Sequence, residues 1–182
     1  RLLKDVRAAE PQPARPGGLD RLIGESTTMQ ALKTRIRQVI SAEKQLADSD
    51  APAVLITGET GTGKELVARA MHFDGERSAQ PFIEVNCSGI PSNLLEAELF
   101  GFERGAFTDA KEQKPGLIEA ADGGTLFLDE VGEIEPSAQA KLLKLLEDKQ
   151  VRRLGSVRER KVNVRIIAAT NRDLEQLVRE GR

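Results

Sequence analysis

The chain has no tryptophan and no tyrosine, and its 182 residues include only six phenylalanines. A surface that stacks the successive bases of a single strand needs aromatic faces at intervals, so this class of nucleic-acid binding is set aside. Cysteine is nearly absent as well. Cys87 stands alone and cannot form an internal disulfide, and a reducing compartment is the simplest inference. Neither sign of charge dominates: 27 basic side chains against 29 acidic ones leave a net charge of −2. That balance provides no general attraction to nucleic acid or to an anionic membrane. No apolar run approaches the roughly 20 residues that a membrane helix requires. The opening RLLKDVRAAE has neither an initiator Met nor a signal-like apolar core. These absences lead us to expect an excised piece of a longer cytoplasmic protein that touches no membrane.

What remains is the composition of an ordinary globular domain, 39% hydrophobic and 31% charged. Residues 11–18 (PQPARPGG) hold three prolines and two glycines, the make-up of a stiff linker. Leu2, Leu3 and Val6, among charges, read as the tail of an upstream helix. We therefore expect a linker over 1–18 and one domain over 19–182. Met29, Leu32, Ile36, Val39 and Ile40 recur at helical spacing and predict an amphipathic helix that ends in the stretch Ala47–Pro52. Four short apolar runs follow: Ala53–Thr57, Phe82–Asn86, Thr125–Asp129 and Val164–Thr170. They are continuous rather than alternating, as strands buried on both faces are, and helical sequence separates them. Helices are predicted at 63–74, at 93–99 with Asn93 and Glu96 as a capping pair, at 137–148 and from Asp173. Ala138, Leu142, Leu145 and Leu146 mark the core face of the third. The fold expected is a three-layer α/β sandwich around a parallel sheet.

The first strand runs into Gly58-Glu59-Thr60-Gly61-Thr62-Gly63-Lys64, which fits G-x-x-x-x-G-K between a strand and a helix. Glycines let the backbone curl so that successive N–H groups face phosphate oxygens. The helix adds its positive end, and Lys64 a mobile cation. The Ser or Thr that usually follows the lysine is replaced by Glu65. A carboxylate there repels phosphate unless it points away or acts through Mg²⁺. The run Thr125–Leu128 ends in Asp129-Glu130. Beside a phosphate loop, Asp129 would orient Mg²⁺, partly through water, and Glu130 would polarise an attacking water. ATP and Mg²⁺ are the expected cofactors. Asn86, Thr170 and Asn171 stand at other strand ends, where α/β sheets bind ligands. Such residues also serve as turn or cap residues, and spacing alone favours that reading.

The phosphate loop read as GETGTGKE resembles that of sigma-54-dependent bacterial transcription activators. LIGEST at 22–27, ELFGFERGAFTDA at 98–110, ADGGTLFLDE at 121–130, VRRLGS at 151–156 and VNVRIIAATNRDL at 162–174 resemble the same family. The resemblance runs from Leu19 to Arg182 and implies an AAA+ ATPase that remodels sigma-54 RNA polymerase holoenzyme as a hexameric or heptameric ring. It implies that Gly58–Glu65 wrap the ATP phosphates and that Asn86 restrains Glu130 in an inactive pose. Thr170 and Asn171 become γ-phosphate sensors, and Ile23 and Gly24 border the adenine. Gly105, Ala106, Phe107, Thr108, Asp109 and Ala110 become the loop that grips the sigma factor. Asp109 departs from the family's usual glycine, which can take positive φ, and Phe102 stands where the family often has His. The resemblance also implies arginine fingers, a helical lid and a DNA-binding helix-turn-helix beyond Arg182. DNA contact is expected only through that last part, and weak turnover is expected without the fingers.

Two rival functions are a different AAA+ motor and a nucleotide-controlled oligomerisation module without catalysis. Phe102 and Phe107 can alternatively pin the loop onto the core. His72 and Cys87 read as buried structural residues. The basic stretch Arg152–Arg165, with six Lys or Arg, reads as a hairpin with one solvated face, its apolar side marked by Val151, Leu154, Val157, Val162 and Val164.

Overall fold

In chain order, the computed structural model contains α1 (Thr27–Glu43), β1 (Val54–Thr57), α2 (Lys64–Phe73), β2 (Phe82–Asn86), α3 (Ser92–Phe100), β3 (Gly101–Phe102) and β4 (Lys114–Pro115). There follow α4 (Leu117–Ala120), β5 (Thr125–Asp129), α5 (Pro136–Asp148), β6 (Gln150–Arg152), β7 (Glu159–Lys161), β8 (Arg165–Thr170) and α6 (Leu174–Arg179). Residues 18–46 and 51–181 are described. The linker over 1–17 and the apolar residues Leu2, Leu3 and Val6 lie outside them.

The four apolar runs form one sheet of order β1-β8-β5-β2, every neighbour parallel. Parallel neighbours need crossovers, and the crossover helices cover both faces. On one face Val85, Leu126, Leu128 and Ile166 meet α3, α4 and α5 through Leu95, Leu99, Ile118, Ala138, Leu142 and Leu145. On the other, Phe127, Ile167 and Ala169 meet α1 and α2 through Ile36, Ile40, Ala68 and Met71. Successive side chains of β5 thus enter opposite layers, which is why its sequence is apolar without alternation. The central strands β5 and β8 are buried on both faces. Edge strand β1 is not, and Leu55 is half exposed.

Three local expectations change. Helix α3 begins at Ser92 behind Pro91, with no side-chain cap, and Glu96 pairs with Lys141 instead of closing a capping box. Position 93 lies inside the helix and cannot be its N-cap, and the N–H groups of Leu94 and Leu95 donate to the Pro91 carbonyl at 2.8 and 2.9 Å. The hairpin β6–β7 forms, but Val157 is at its exposed tip and does not share the buried side of Val151 and Val162. Its basic residues are not simply solvated. Arg153 is buried in a bidentate pair with Glu119, at 2.6 and 2.8 Å, and Arg165 is buried in an ion pair with Glu43. Arg153 holds the Glu119 carboxyl below the usual carboxylate range.

The sheet has a buried polar cluster at the start of β5 and β8. His72, late in α2, is hydrogen-bonded to Thr125 through Nδ1 at 2.9 Å. Burial first, then the charge of Arg165, lowers its pKa to about 4. The Arg165 guanidinium also donates to the Met71 carbonyl at 3.2 Å. His72 is therefore a neutral core histidine.

Candidate nucleotide site and partner loop

The opposite end of the same strands carries the residues predicted to bind nucleotide. After β1, the chain turns through Gly61 (φ 82°) and Gly63 (φ 90°), and Gly63 is the N-cap of α2. Both need the left-handed region that glycine enters without strain. The turn is closed by Thr62 Oγ1, which donates to the Glu59 carbonyl at 2.8 Å, and is tied to the sheet by Gly58 N–H donating to the Thr170 carbonyl at 3.2 Å. Lys64 Nζ lies inside the loop, donating to the Gly58 and Glu59 carbonyls at 3.0 and 3.1 Å. Glu65 turns out of the loop to Arg69 Nε at 2.6 Å, so its carboxylate is no part of the phosphate-facing surface. This is the outward orientation that a carboxylate beside a phosphate loop requires. Its backbone stays in the first turn.

Asp129 ends β5 two strands from the loop, with β8 between them. Its Oδ1 accepts from the Glu130 N–H at 3.0 Å. Glu130 occupies the left-handed region at φ 53°, ψ 49°, an uncommon conformation for a side chain this long. The short turn Val131–Glu133 that follows holds it there, and Arg172 locks the turn by donating to the Gly132 carbonyl at 2.9 Å and pairing with Glu133 at 2.6 Å. The result points Glu130 at the loop: Oε1 lies 3.8 Å from Lys64 Nζ, and Oε2 accepts from the Asn171 N–H at 3.3 Å. Asn171 Nδ2 reaches across to Thr60 Oγ1 at 3.1 Å. Lys64, Asp129, Glu130, Asn171 and Thr60 are thus gathered at one edge.

Asn86 is near but does not touch Glu130. Its Oδ1 accepts from Ser88 N–H at 3.0 Å, Ser88 Oγ at 2.8 Å and Gly89 N–H at 3.2 Å, so it serves as a turn former here. Thr170 is buried, and its Oγ1 accepts from the Arg172 N–H at 3.1 Å. Its hydroxyl holds Arg172 in place and is not presented to the loop. Ile23 is among the most exposed apolar residues, and Gly24 (φ 136°) offers its carbonyl to Lys33 Nζ at 3.2 Å. Cys87 is buried, and burial together with Asp129 and Glu130 pushes its thiol up to about 12. It is no nucleophile. Arg172 was not singled out from the sequence, although its charge adjoins Asn171 and opposes the run Glu130–Glu135.

Between β3 and β4 the chain makes the loop 103–113. Gly105 N–H donates to the Ala110 carbonyl at 2.8 Å, and Ala110 N–H to the Phe107 carbonyl at 2.9 Å. Asp109 needs no positive φ: among described non-glycine residues only Glu130 and Lys149 have one. Phe107 leans on Phe102, ring centroids 4.9 Å apart, yet stays 41% exposed. It is both part of the loop's support and available at the surface. The base is held from the β6–β7 hairpin: Glu103 N–H donates to the Leu154 carbonyl at 3.0 Å, and Arg153 contacts Glu103. Gly155 abuts Ala106 so closely that an added Cβ would lie 2.9 Å from the alanine methyl, so a side chain there would push the two loops apart.

Among the described residues no group of three or more His, Cys, Asp or Glu could cage a metal. One carboxylate next to a phosphate-shaped loop fits magnesium, which is commonly held by one or two carboxylates plus substrate phosphates and water. No helix of the described residues is long and apolar enough to cross a membrane.

A family model described as the Sigma-54 interaction domain matches residues 22–182. The chain is 50% identical over 169 residues to a Nif-specific regulatory protein of Klebsiella pneumoniae, covering 93% of this chain and 31% of that protein. It is 54% identical over 144 residues to the hydrogenase transcriptional regulatory protein HoxA of Bradyrhizobium diazoefficiens, covering 79% and 30%. Its structure is similar to that of NtrX from Brucella abortus in complex with ADP, with TM-score 0.74, 39% identity, and coverage of 90% of this chain and 33% of that one. The corresponding figures for NtrX in complex with ATP are 0.71, 38%, 88% and 32%. The chain thus spans about a third of the length of these relatives. The family model spans most of the chain, and the chain belongs to the Sigma-54 interaction domain family.

Proposed function

We propose that this domain, taken as residues 19–182 behind a linker, is the ATP-hydrolysing motor of a cytoplasmic bacterial transcription activator acting on sigma-54 RNA polymerase. The observation that carries the reading is the convergence of Lys64, Asp129, Glu130 and Asn171, with Glu130 held 3.8 Å from Lys64 and bonded to Asn171. The N–H groups of the Gly58–Glu65 turn and the positive end of α2 bind the phosphates. Lys64 exchanges its two carbonyl partners for phosphate oxygens. Asp129 would hold Mg²⁺, which when bound neutralises charge on the phosphates. Glu130 accepts a proton from the water it aligns on the γ-phosphate. Asn171, bonded to both Glu130 and the loop, senses whether that phosphate is present. Asn86 and Thr170 act in the same step only through the turns that they hold, and Ile23 with Gly24 borders the base.

The exposed Phe107, in the Gly105–Ala110 loop, presents an apolar contact to the sigma factor, and a ring of subunits places these loops together. The test is Glu130→Gln in a form of the protein as long as its relatives. It is expected to bind ATP and lose turnover by at least about 100-fold, the scale seen when a residue central to the chemistry is removed. Unchanged turnover would remove Glu130 from the mechanism. A parent protein that binds ATP and never hydrolyses it would favour the nucleotide-controlled oligomerisation module.

A further inference from the structure

Glu65 stands in the first turn of α2, where the helix end favours negative charge. The same end is where phosphate binds, so a carboxylate free to move there competes for the donors that the loop must offer. Arg69 prevents this. Arg69, one helical turn on, takes Glu65 Oε1 through Nε at 2.6 Å and Glu84 Oε2 of β2 through Nη2 at 2.7 Å. Its guanidinium carbon lies over the Phe82 ring, 5.1 Å from the centre. Phe82 is itself stacked on the fully buried Phe127 of β5. The clamp is therefore anchored to the sheet and not merely to its own helix.

We propose that Arg69 is a positioning residue for the phosphate loop: by bridging Glu65 to Glu84 it keeps the Glu65 carboxylate out of the site that nucleotide phosphate enters. Two features argue for a bridge over a decorative surface pair. Exposed ion pairs contribute little to stability, so neither contact is needed to hold the fold, and Glu65 and Glu84 would repel each other without the cation between them. Burial and the neighbouring Glu65 and Asp129 raise the Glu84 carboxyl above its ordinary value, and Arg69 opposes them. Only a planar fork can take two carboxylates and still lie on a ring, so lysine would not substitute.

The inference rests on the nucleotide reading above. Its test is a double-mutant cycle with a fluorescent ATP analogue and Mg²⁺, using Arg69→Met, whose stem still covers Phe82, Glu65→Ala and the pair. Arg69→Met is expected to weaken binding about ten-fold, with raised Mg²⁺ demand. The double variant is expected within about two-fold of Glu65→Ala alone. An equal loss from Arg69→Met in both backgrounds, or no loss in either, would overturn the proposal, because packing alone does not depend on Glu65. If Arg69→Met lowers the thermal midpoint, Arg69→Lys serves as the second variant. It should leave a partial loss that Glu65→Ala again removes, and a loss that Glu65→Ala leaves in place counts against the bridge. A parent chain that binds no analogue sinks the nucleotide reading itself, and this inference with it.

Discussion

Strands β5 and β8 carry polar residues at both ends, and the two ends use them differently. At the start, Thr125 meets His72, and Arg165 meets Glu43 and the Met71 carbonyl; these side chains are buried with partners from α1 and α2. At the finish, Asn171 donates to Glu130 and to Thr60, Glu130 adds one 3.8 Å ion pair, and Lys64 donates only to carbonyls of its own loop. The first arrangement is locked, since breaking any contact strands a buried group. The second is positioned by backbone and can exchange partners at low cost. Groups of similar chemistry on the same strands thus differ in their partners: buried side chains from other helices at the start, exchangeable loop carbonyls and neighbouring backbone at the finish.

The comparison is sharpened most by Arg165→Met. Removing one partner of a buried pair leaves Glu43 uncompensated and should cost about 3–5 kcal/mol of stability. Adding Glu43→Leu should recover much of it, and denaturant melts of the three proteins check both. Nucleotide affinity should stay within about two-fold throughout. Lys64→Ala is the converse: analogue affinity should fall by about 100-fold through loss of a charged contact to phosphate, with the melting midpoint nearly unchanged. Large effects on both properties from either variant would break the division.

The pH response comes next. The folded His72 has its pKa lowered from 6.5 to about 4, so its neutral form is favoured in the fold and protonation favours unfolding. Its contribution is complete above pH 6.5 and declines as pH falls towards 4, by at most about 3 kcal/mol. Urea melts between these values should show that slope, and His72→Asn should remove it. Smallest is Phe107→Ala. The lost ring contact should cost less than about 1 kcal/mol, and ATP binding should persist, while binding to sigma-54 measured by gel shift should fail. Full binding by the variant would end Phe107's role as a handle.

Much of the candidate nucleotide edge is legible because chain order reports it. A continuous apolar run ending in a glycine loop or paired acids reads as a parallel strand with a site at its end, and β2 and β5 begin and end as read. Contacts between distant segments were not legible. Arg172 locking Gly132, Arg69 joining Glu65 to Glu84, and Arg165 reaching Glu43 all depend on which strands become neighbours. Nothing local distinguishes Arg165 and Arg172 from solvated arginines, so the basic stretch reads as a hairpin with one solvated face. Asn86 was ambiguous for another reason: a turn former and a ligand residue look alike at a strand end.

The proposed motor requires Gly58–Lys64 and Asp129–Asn171 to form one binding edge for nucleotide. Its most direct test is an amide NMR titration of the chain with Mg²⁺ and a non-hydrolysable ATP analogue. The expected result is saturable shifts at Gly61, Gly63, Lys64, Asp129 and Asn171, with His72, Thr125 and Arg165 still. Shifts confined to the buried cluster, or none at the glycine loop, would contradict it.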